Sequence, residues 1–153
     1  MGTEFSDVFD LFMVQIKDWR LQSLYESSVL DFEMYLTGFL VLSIPKFEET
    51  CTQSLSFNKT EKKFDEDLTI SNQTILAGLM VERWMEKEVQ DINQMSLHLQ
   101  DRDFKVYSES QNLKEKSFHL DKLREANSQA ITSYSYSKTA NWANWISGSF
   151  YTP

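Results

Sequence analysis

The sequence predicts a mainly α fold: a helical bundle of about four principal helices, with a long loop over residues 50–70 and an extended C-terminal tail. Three observations predict it. Apolar residues recur at three- and four-residue spacing through four long stretches. Each stretch opens on Ser or Asp, residue types that cap helices well. No pair of alternating stretches meets at a tight Asn-Gly or Asp-Gly turn, so the signal of a sheet-based fold is missing.

The elements follow in order. Ser6 is an N-cap with acidic Asp7 beside it, and Phe5, Val8, Phe9, Phe12 and Ile16 fall at helical spacing, so a first helix covers about Ser6 to Lys17. Asp18-Trp19-Arg20 reads as a turn. Ser27 or Ser28 caps the second helix, with Asp31 completing a capping-box-like pattern. Its stripe is Phe32, Leu36, Phe39, Leu40 and Ile44, and Pro45 bends or ends it. Thr50 to Thr69 is polar, rich in Lys and Asp, and lacks a long period. It reads as a structured loop with a short helix or hairpin in it, anchored by Leu55, Phe57, Phe64 and Leu68.

Ser71 caps the third helix, carried by Ile75, Leu79, Met80, Trp84, Val89 and Ile92 to about Asn93, or with a kink to Leu99. Gly78 lies inside it at a cost of about 1 kcal/mol relative to Ala, which points to close packing there. Asp101 or Asp103 starts the fourth helix, which Phe104, Tyr107, Leu113, Leu120, Leu123, Ala130 and Ile131 carry to about Ser133. Lys114, Glu115, Lys116, Asp121, Lys122, Arg124 and Glu125 form its solvated face. Residues 1–133 thus make a helical domain and residues 134–153 a tail.

Composition narrows the function. A chain of 153 residues with 41% hydrophobic content has material for one core. The longest apolar run, Phe39 to Ile44, is far too short to span a bilayer, and no secretory signal is visible at the start. Synthesis in the cytoplasm and no membrane partner are therefore expected. Gly2-Thr3-Glu4-Phe5 matches what adjoining cloning sites encode, so these residues are given no functional weight. The formal charge of −8 argues against nucleic-acid binding through the bulk surface, which needs a cationic face.

Signs of chemistry are few. Cys51 is the only cysteine, so neither an internal disulfide nor a thiolate zinc cluster can form. Four scattered glycines build no phosphate-cradling loop. His98 and His119 are the only histidines; Glu115 and His119 lie one turn apart, yet a metal site would need a second ligand pair. Asp101 and Asp103 read as helix-start residues, and the Glu82–Glu86 pair arises freely on an acidic helical chain. The expectation is no enzyme and no cofactor.

The tail reads YSYSKTANWANWISGSFYTP, from Tyr134 to Pro153. Tyr134, Tyr136, Trp142, Trp145, Phe150 and Tyr151 stand in it among Ser, Asn and Thr, with few local means of hiding. Trp142 and Trp145 are three apart, so one helical turn can present both. The tail either folds back on its own helices or docks on a neighbour, and these six aromatics are the candidate partner-binding residues.

Three blocks carry a resemblance: Phe9 to Phe47 (FDLFMVQIKDWRLQSLYESSVLDFEMYLTGFLVLSIPKF), Phe64 to Ile92 (FDEDLTISNQTILAGLMVERWMEKEVQDI) and Asp101 to Leu113 (DRDFKVYSESQNL). Together they resemble small helical virion proteins of tailed bacteriophages of Gram-positive bacteria, the head–tail connector or neck adaptor proteins. The resemblance rests on block order from about Phe5 to Tyr136 and includes no catalytic motif. It implies a homo-oligomeric ring, typically twelvefold, at the head–tail junction of the virion. The ring would bind the portal above and neck or tail proteins below, with DNA passing through its lumen without specific binding. It also implies a C-terminal extension reaching along portal or neighbour. The rival expectations are another neck or tail-completion protein, such as a tail terminator, which would carry more β structure, and a small helical metal- or ligand-binding protein.

Overall fold

The computed structural model describes the backbone of residues 2–98 and 103–148, and side chains over residues 2–94 and 111–139. Among these, five helices and one small hairpin follow in the order α1 (Phe5–Gln15), α2 (Trp19–Ser27), α3 (Val29–Glu48), β1 (Phe57–Asn58), β2 (Lys63–Phe64), α4 (Ile70–His98) and α5 (Asp103–Gly148). The mainly helical fold is as the sequence predicts. Several boundaries differ, each for a physical reason.

Helix α1 starts one residue earlier than Ser6 allows. Glu4 is extended and serves as the N-cap, because it bridges Lys63 beside the hairpin. The Asp7 carboxylate then accepts from the Glu4 N–H at 3.3 Å. Residues 2–5 thereby acquire a structural weight that the sequence reading withheld. Thr3 donates its N–H to the Glu66 carbonyl at 3.1 Å and accepts from the Phe64 N–H at 2.8 Å. Its hydroxyl accepts from the Leu68 N–H at 2.7 Å. Phe5 is buried against Phe9, Phe57 and Phe64, with ring centroids 5.2–6.3 Å away in edge-on and tilted geometry.

Asp18 to Arg20 is no turn. Asp18 is the N-cap of α2, its carboxylate accepting from the Arg20 N–H at 2.8 Å. Ser28 caps α3 through the Asp31 N–H at 3.2 Å, as expected. Helix α3 passes through Pro45 and ends at Glu48. The hydrogen bond that proline forfeits is offset by continuing the helix far enough to bury Phe47, which is fully covered in the core.

The loop after α3 holds a hairpin, one of the two forms anticipated. Phe57 pairs with Phe64 and Asn58 with Lys63, antiparallel. The Asn58 side chain accepts from the N–H groups of Thr60 and Glu61, closing the turn. Leu55, Phe64 and Leu68 are buried, so the loop is tied to the core through three of its four expected anchors. Phe57 is half-buried.

Thr69 rather than Ser71 holds the start of α4: its hydroxyl accepts from the Asn72 N–H at 3.3 Å. Helix α4 is the central element and packs against α1, α3 and α5. The core gathers Phe12 of α1, Leu36, Leu40 and Phe47 of α3, and Leu76, Leu79 and Met80 of α4, all under 2% exposed. Side chains of this size contribute about 1.5–3 kcal/mol each on full burial. No helix among the described residues is long and apolar enough to cross a membrane.

Candidate docking site on the terminal helix

Helix α5 does not stop at Ser133. It continues to Gly148, so most of the stretch read as an extended tail is helical. Its composition explains why this is possible without an apolar stripe. The hydroxyls of Thr132, Ser137 and Thr139 donate to the carbonyls of Ser128, Tyr134 and Ser135 at 2.7–3.0 Å. Ser and Thr side chains that bond back one turn sit in a helix without competing for its N–H groups.

Helix α5 lies antiparallel on α4 along a polar seam. Lys116 pairs with Glu88 at 3.3 Å and Arg124 with Glu86 at 2.9 Å. The Asn127 amide donates to Glu82 at 2.8 Å and to the Gly78 carbonyl at 3.1 Å. The other ends of these carboxylates are also held. Lys46 of α3 reaches Glu82 at 2.7 Å, Arg83 reaches Glu86 at 2.9 Å, and Arg20 of α2 reaches Glu88 at 2.6 Å. Lys116 and Arg124 therefore belong to the seam and not to a purely solvated face. Gly78 is close-packed as expected, since a Cβ there would stand 2.8 Å from the Asn127 side-chain oxygen Oδ1.

The seam moves ionisation in predictable directions. Burial pushes the Glu86 carboxyl up, but hydrogen bonds from Arg124 and Arg83 outweigh it and hold it below the usual value. Burial likewise raises Asp18, and the Arg20 side chain and N–H more than reverse it. Hydrogen bonds that it donates to Asp18, then to Glu88, hold the Arg20 guanidinium charged.

Beyond the seam, Tyr134 closes the contact between α5 and the body. It is 6% exposed. Its ring meets Phe47 edge-on at 5.2 Å. Its hydroxyl accepts from the Thr52 N–H at 3.1 Å and lies 2.8 Å from the Thr52 hydroxyl. The next five residues, Ser135 to Thr139, are all exposed. Five consecutive helical residues cover every direction around the axis, so α5 has left the body by this point. From Tyr134 to Gly148 the helix rises about 21 Å at 1.5 Å per residue.

The six candidate residues thus separate. Tyr134 is used inside the monomer. Tyr136 is 71% exposed on the emergent helix. Trp142 and Trp145 lie within the span of α5, with side chains outside the described residues; Phe150 and Tyr151 lie outside the described residues altogether. Glu115 and His119 are both exposed, and among the described residues no group of three His, Cys, Asp or Glu could hold a metal ion.

One further surface is not apparent from the sequence pattern. Trp19, 77% exposed, borders a cleft of about 470 Å³ between α1 and α2, whose lining mixes Phe9, Met13, Ile16, Tyr25 and Phe32 with the polar Asp10, Lys17, Asp18 and Gln22. The available signal was Asp18 followed by Leu21 and Leu24 at helical spacing. No family model, no curated protein and no solved structure matches this chain.

Proposed function

We propose that the chain is a structural subunit of a larger assembly, a head–tail connector of a tailed bacteriophage that forms a ring beneath the portal and lines the DNA channel. The observation that carries the assembly part of this reading is the emergent end of α5. A helix held to its body by a polar seam, by Leu120, Leu123 and Ile131 and by one buried tyrosine, then exposed on all sides over Ser135 to Thr139, is built to reach something else. The terminal stretch suits contact with a partner: all 23 carboxylates precede Tyr134, and Lys138 is the only charged residue after it. Uncharged, aromatic-rich surface is what interface centres favour.

The connector part rests on the sequence blocks from Phe9 to Leu113 and on the helical body. A net charge of −8 suits a channel wall past which DNA moves, because like charge limits sticking of the phosphate backbone. In this reading Tyr136, Trp142 and Trp145 are docking residues, and Tyr134 sets the base of the arm.

The experiment is removal of Trp142 to Pro153. The truncated protein is expected to keep its helical spectrum and melting temperature while failing to join portal-bound rings seen by negative-stain electron microscopy. Normal incorporation of the truncated protein would sink the docking role. Absence of rings from the intact protein mixed with portal would sink the connector reading.

A further inference from the structure

Helix α2 is lightly anchored to the body. Leu21 is its one buried residue in nine, where α1 buries four of eleven and α3 eight of twenty. Trp19 and Tyr25 are 77% and 53% exposed. The helix packs on α3, where Leu24 touches the core from a half-buried position and Tyr25 lies edge-on to Phe32 at 5.2 Å. Space remains on both of its flanks. The cleft of about 470 Å³ separates it from α1, and a second hollow of about 140 Å³, lined by Leu21, Leu24, Tyr35 and Glu88, lies on its α4 side. A helix between unfilled spaces forgoes dispersion contacts that close packing supplies.

Both ends of α2 are extended backbone. Ile16 and Asp18 before it have φ of −122° and −128°, and Ser28 after it has φ of −159°. Hinges are element-terminal residues such as these, which absorb the dihedral change when a segment swings. Among the described residues, the polar tie from α2 to the rest of the body is one ion pair. The Arg20 guanidinium pairs with Asp18, the cap of its own helix, at 3.0 Å and with Glu88 of α4 at 2.6 Å. This tie can part without stranding a charge. Arg20 keeps Asp18, and Glu88 keeps Lys116 of α5 on its other oxygen at 3.3 Å. Breaking a buried ion pair is costly when it leaves a charge uncompensated, and here neither partner is left so.

We propose that α2 is a latched strap: residues 17–28 swing off the body as one unit while α1, α3, α4 and α5 stay folded. Segments with few buried apolar contacts open at a free energy below that of global unfolding, and the moving parts of proteins are drawn from them. Opening widens the cleft beside α1 and uncovers Phe32, which is 6% exposed with Tyr25 against it. The strap is thus the part of the body that changes shape without unfolding the core. The inference does not rest on the connector reading.

The test is native-state hydrogen exchange of the full chain, in water and in urea below the unfolding transition. After correction for intrinsic rates, the N–H groups of Gln22 to Ser28 are expected to exchange through one shared opening. They should exchange at least about 100-fold faster than the buried amides of α4, at a rate that rises with urea because the opening exposes surface. Arg20→Met removes the latch and keeps a good helix former at a position whose side chain is 50% exposed. It should speed exchange of these amides about tenfold while those of α1 and α4 keep their rates. Amides of α2 that exchange no faster than those of α4 would show that the helix opens only with the whole domain. Rates that differ from residue to residue and ignore urea would show fraying from the ends. Either result overturns the strap. Arg20→Met that leaves α2 exchange unchanged, or speeds α1 and α4 equally, overturns the latch.

Discussion

Truncating Tyr134 tests whether α5 is anchored where the structure places its last body contact. The hydroxyl and the ring contribute separately. Tyr134→Phe removes the bond to the Thr52 N–H at 3.1 Å and the contact with its hydroxyl at 2.8 Å. Thr52 is exposed, so water replaces the lost partner, and the expected cost is at the low end for a hydrogen bond, about 0.5–1 kcal/mol. Tyr134→Ala also removes a ring that is 6% exposed and packs edge-on against fully buried Phe47. Aromatic-to-alanine changes in a core cost about 3–5 kcal/mol, which includes the cavity left behind. For a chain near 150 residues, 1 kcal/mol shifts the melting temperature by about 2–4 °C. Tyr134→Phe should therefore lower it by about 2–3 °C and Tyr134→Ala by about 10 °C or more, read by circular dichroism at 222 nm. A loss below about 1 kcal/mol for Tyr134→Ala would refute the anchor, and with it the view that the arm begins at Ser135.

Three further predictions are briefer. Gly78→Ala should destabilise by about 1 kcal/mol, because displacing Asn127 breaks two hydrogen bonds worth about 1 kcal/mol each while the helix gains about 1 kcal/mol; in an Asn127→Ala background the same change should become stabilising, checked by urea unfolding of all four proteins. Asp18 and Glu86 titrate below their ordinary values of 3.8 and 4.5, so they contribute stability that is present above those values and lost as pH falls through the depressed ones. The melting temperature should thus drop below about pH 4.5, and Asp18→Asn with Glu86→Gln should flatten that part of the profile. Trp142→Ala and Trp145→Ala should leave the melting temperature of the free chain unchanged and weaken ring assembly with portal by about 2 kcal/mol or more each, measured by titration of the portal complex.

Helix α3 was legible because a capping serine, an acidic first turn and a dense apolar stripe all agree. Pro45 alone leaves open whether the helix bends or ends there, because the burial of Phe47 that carries it on to Glu48 is tertiary. Helix α2 was hidden because it is nine residues long, with Leu21 its one buried residue, too little for a period to emerge. The N-cap at Glu4 could not be read, because the strand-like pairing with Lys63 that extends it comes from 59 residues away in sequence. The largest difference lies at Ser133. Leu113, Leu120, Leu123 and Ile131 gave α5 a usable stripe that fades where the Ser- and Thr-rich stretch begins. There the Ser and Thr hydroxyls bond back to carbonyls one turn earlier, and such residues leave no apolar period to detect. Of the candidate site, the aromatic character of the stretch was visible in the sequence. That Tyr134 faces inward and Tyr136 outward was not, because it depends on where the body ends.

The polar seam between α4 and α5 has a consequence for the arm. Apolar contacts such as those of Leu120 and Leu123 tolerate a slide of one helical turn, since another apolar group takes the vacated place. The seam does not. A shift of one turn, about 5.4 Å, would part Glu82 from the Asn127 amide, Glu86 from Arg124 and Glu88 from Lys116, leaving each carboxylate on its other partner alone. Each contact so lost costs about 1 kcal/mol. The register of α5 therefore sets how far its end stands clear of the body, and a docking arm depends on that reach. Replacing the whole group by Lys46→Met, Glu82→Leu and Asn127→Leu separates stability from register, because apolar replacement of all members of a buried polar group is often neutral or stabilising. The melting temperature should hold or rise. Spin labels at the exposed positions Ser71 and Thr139 should then report a broader distance distribution than in the parent protein. An unchanged width at unchanged stability would show that the apolar contacts alone fix the register.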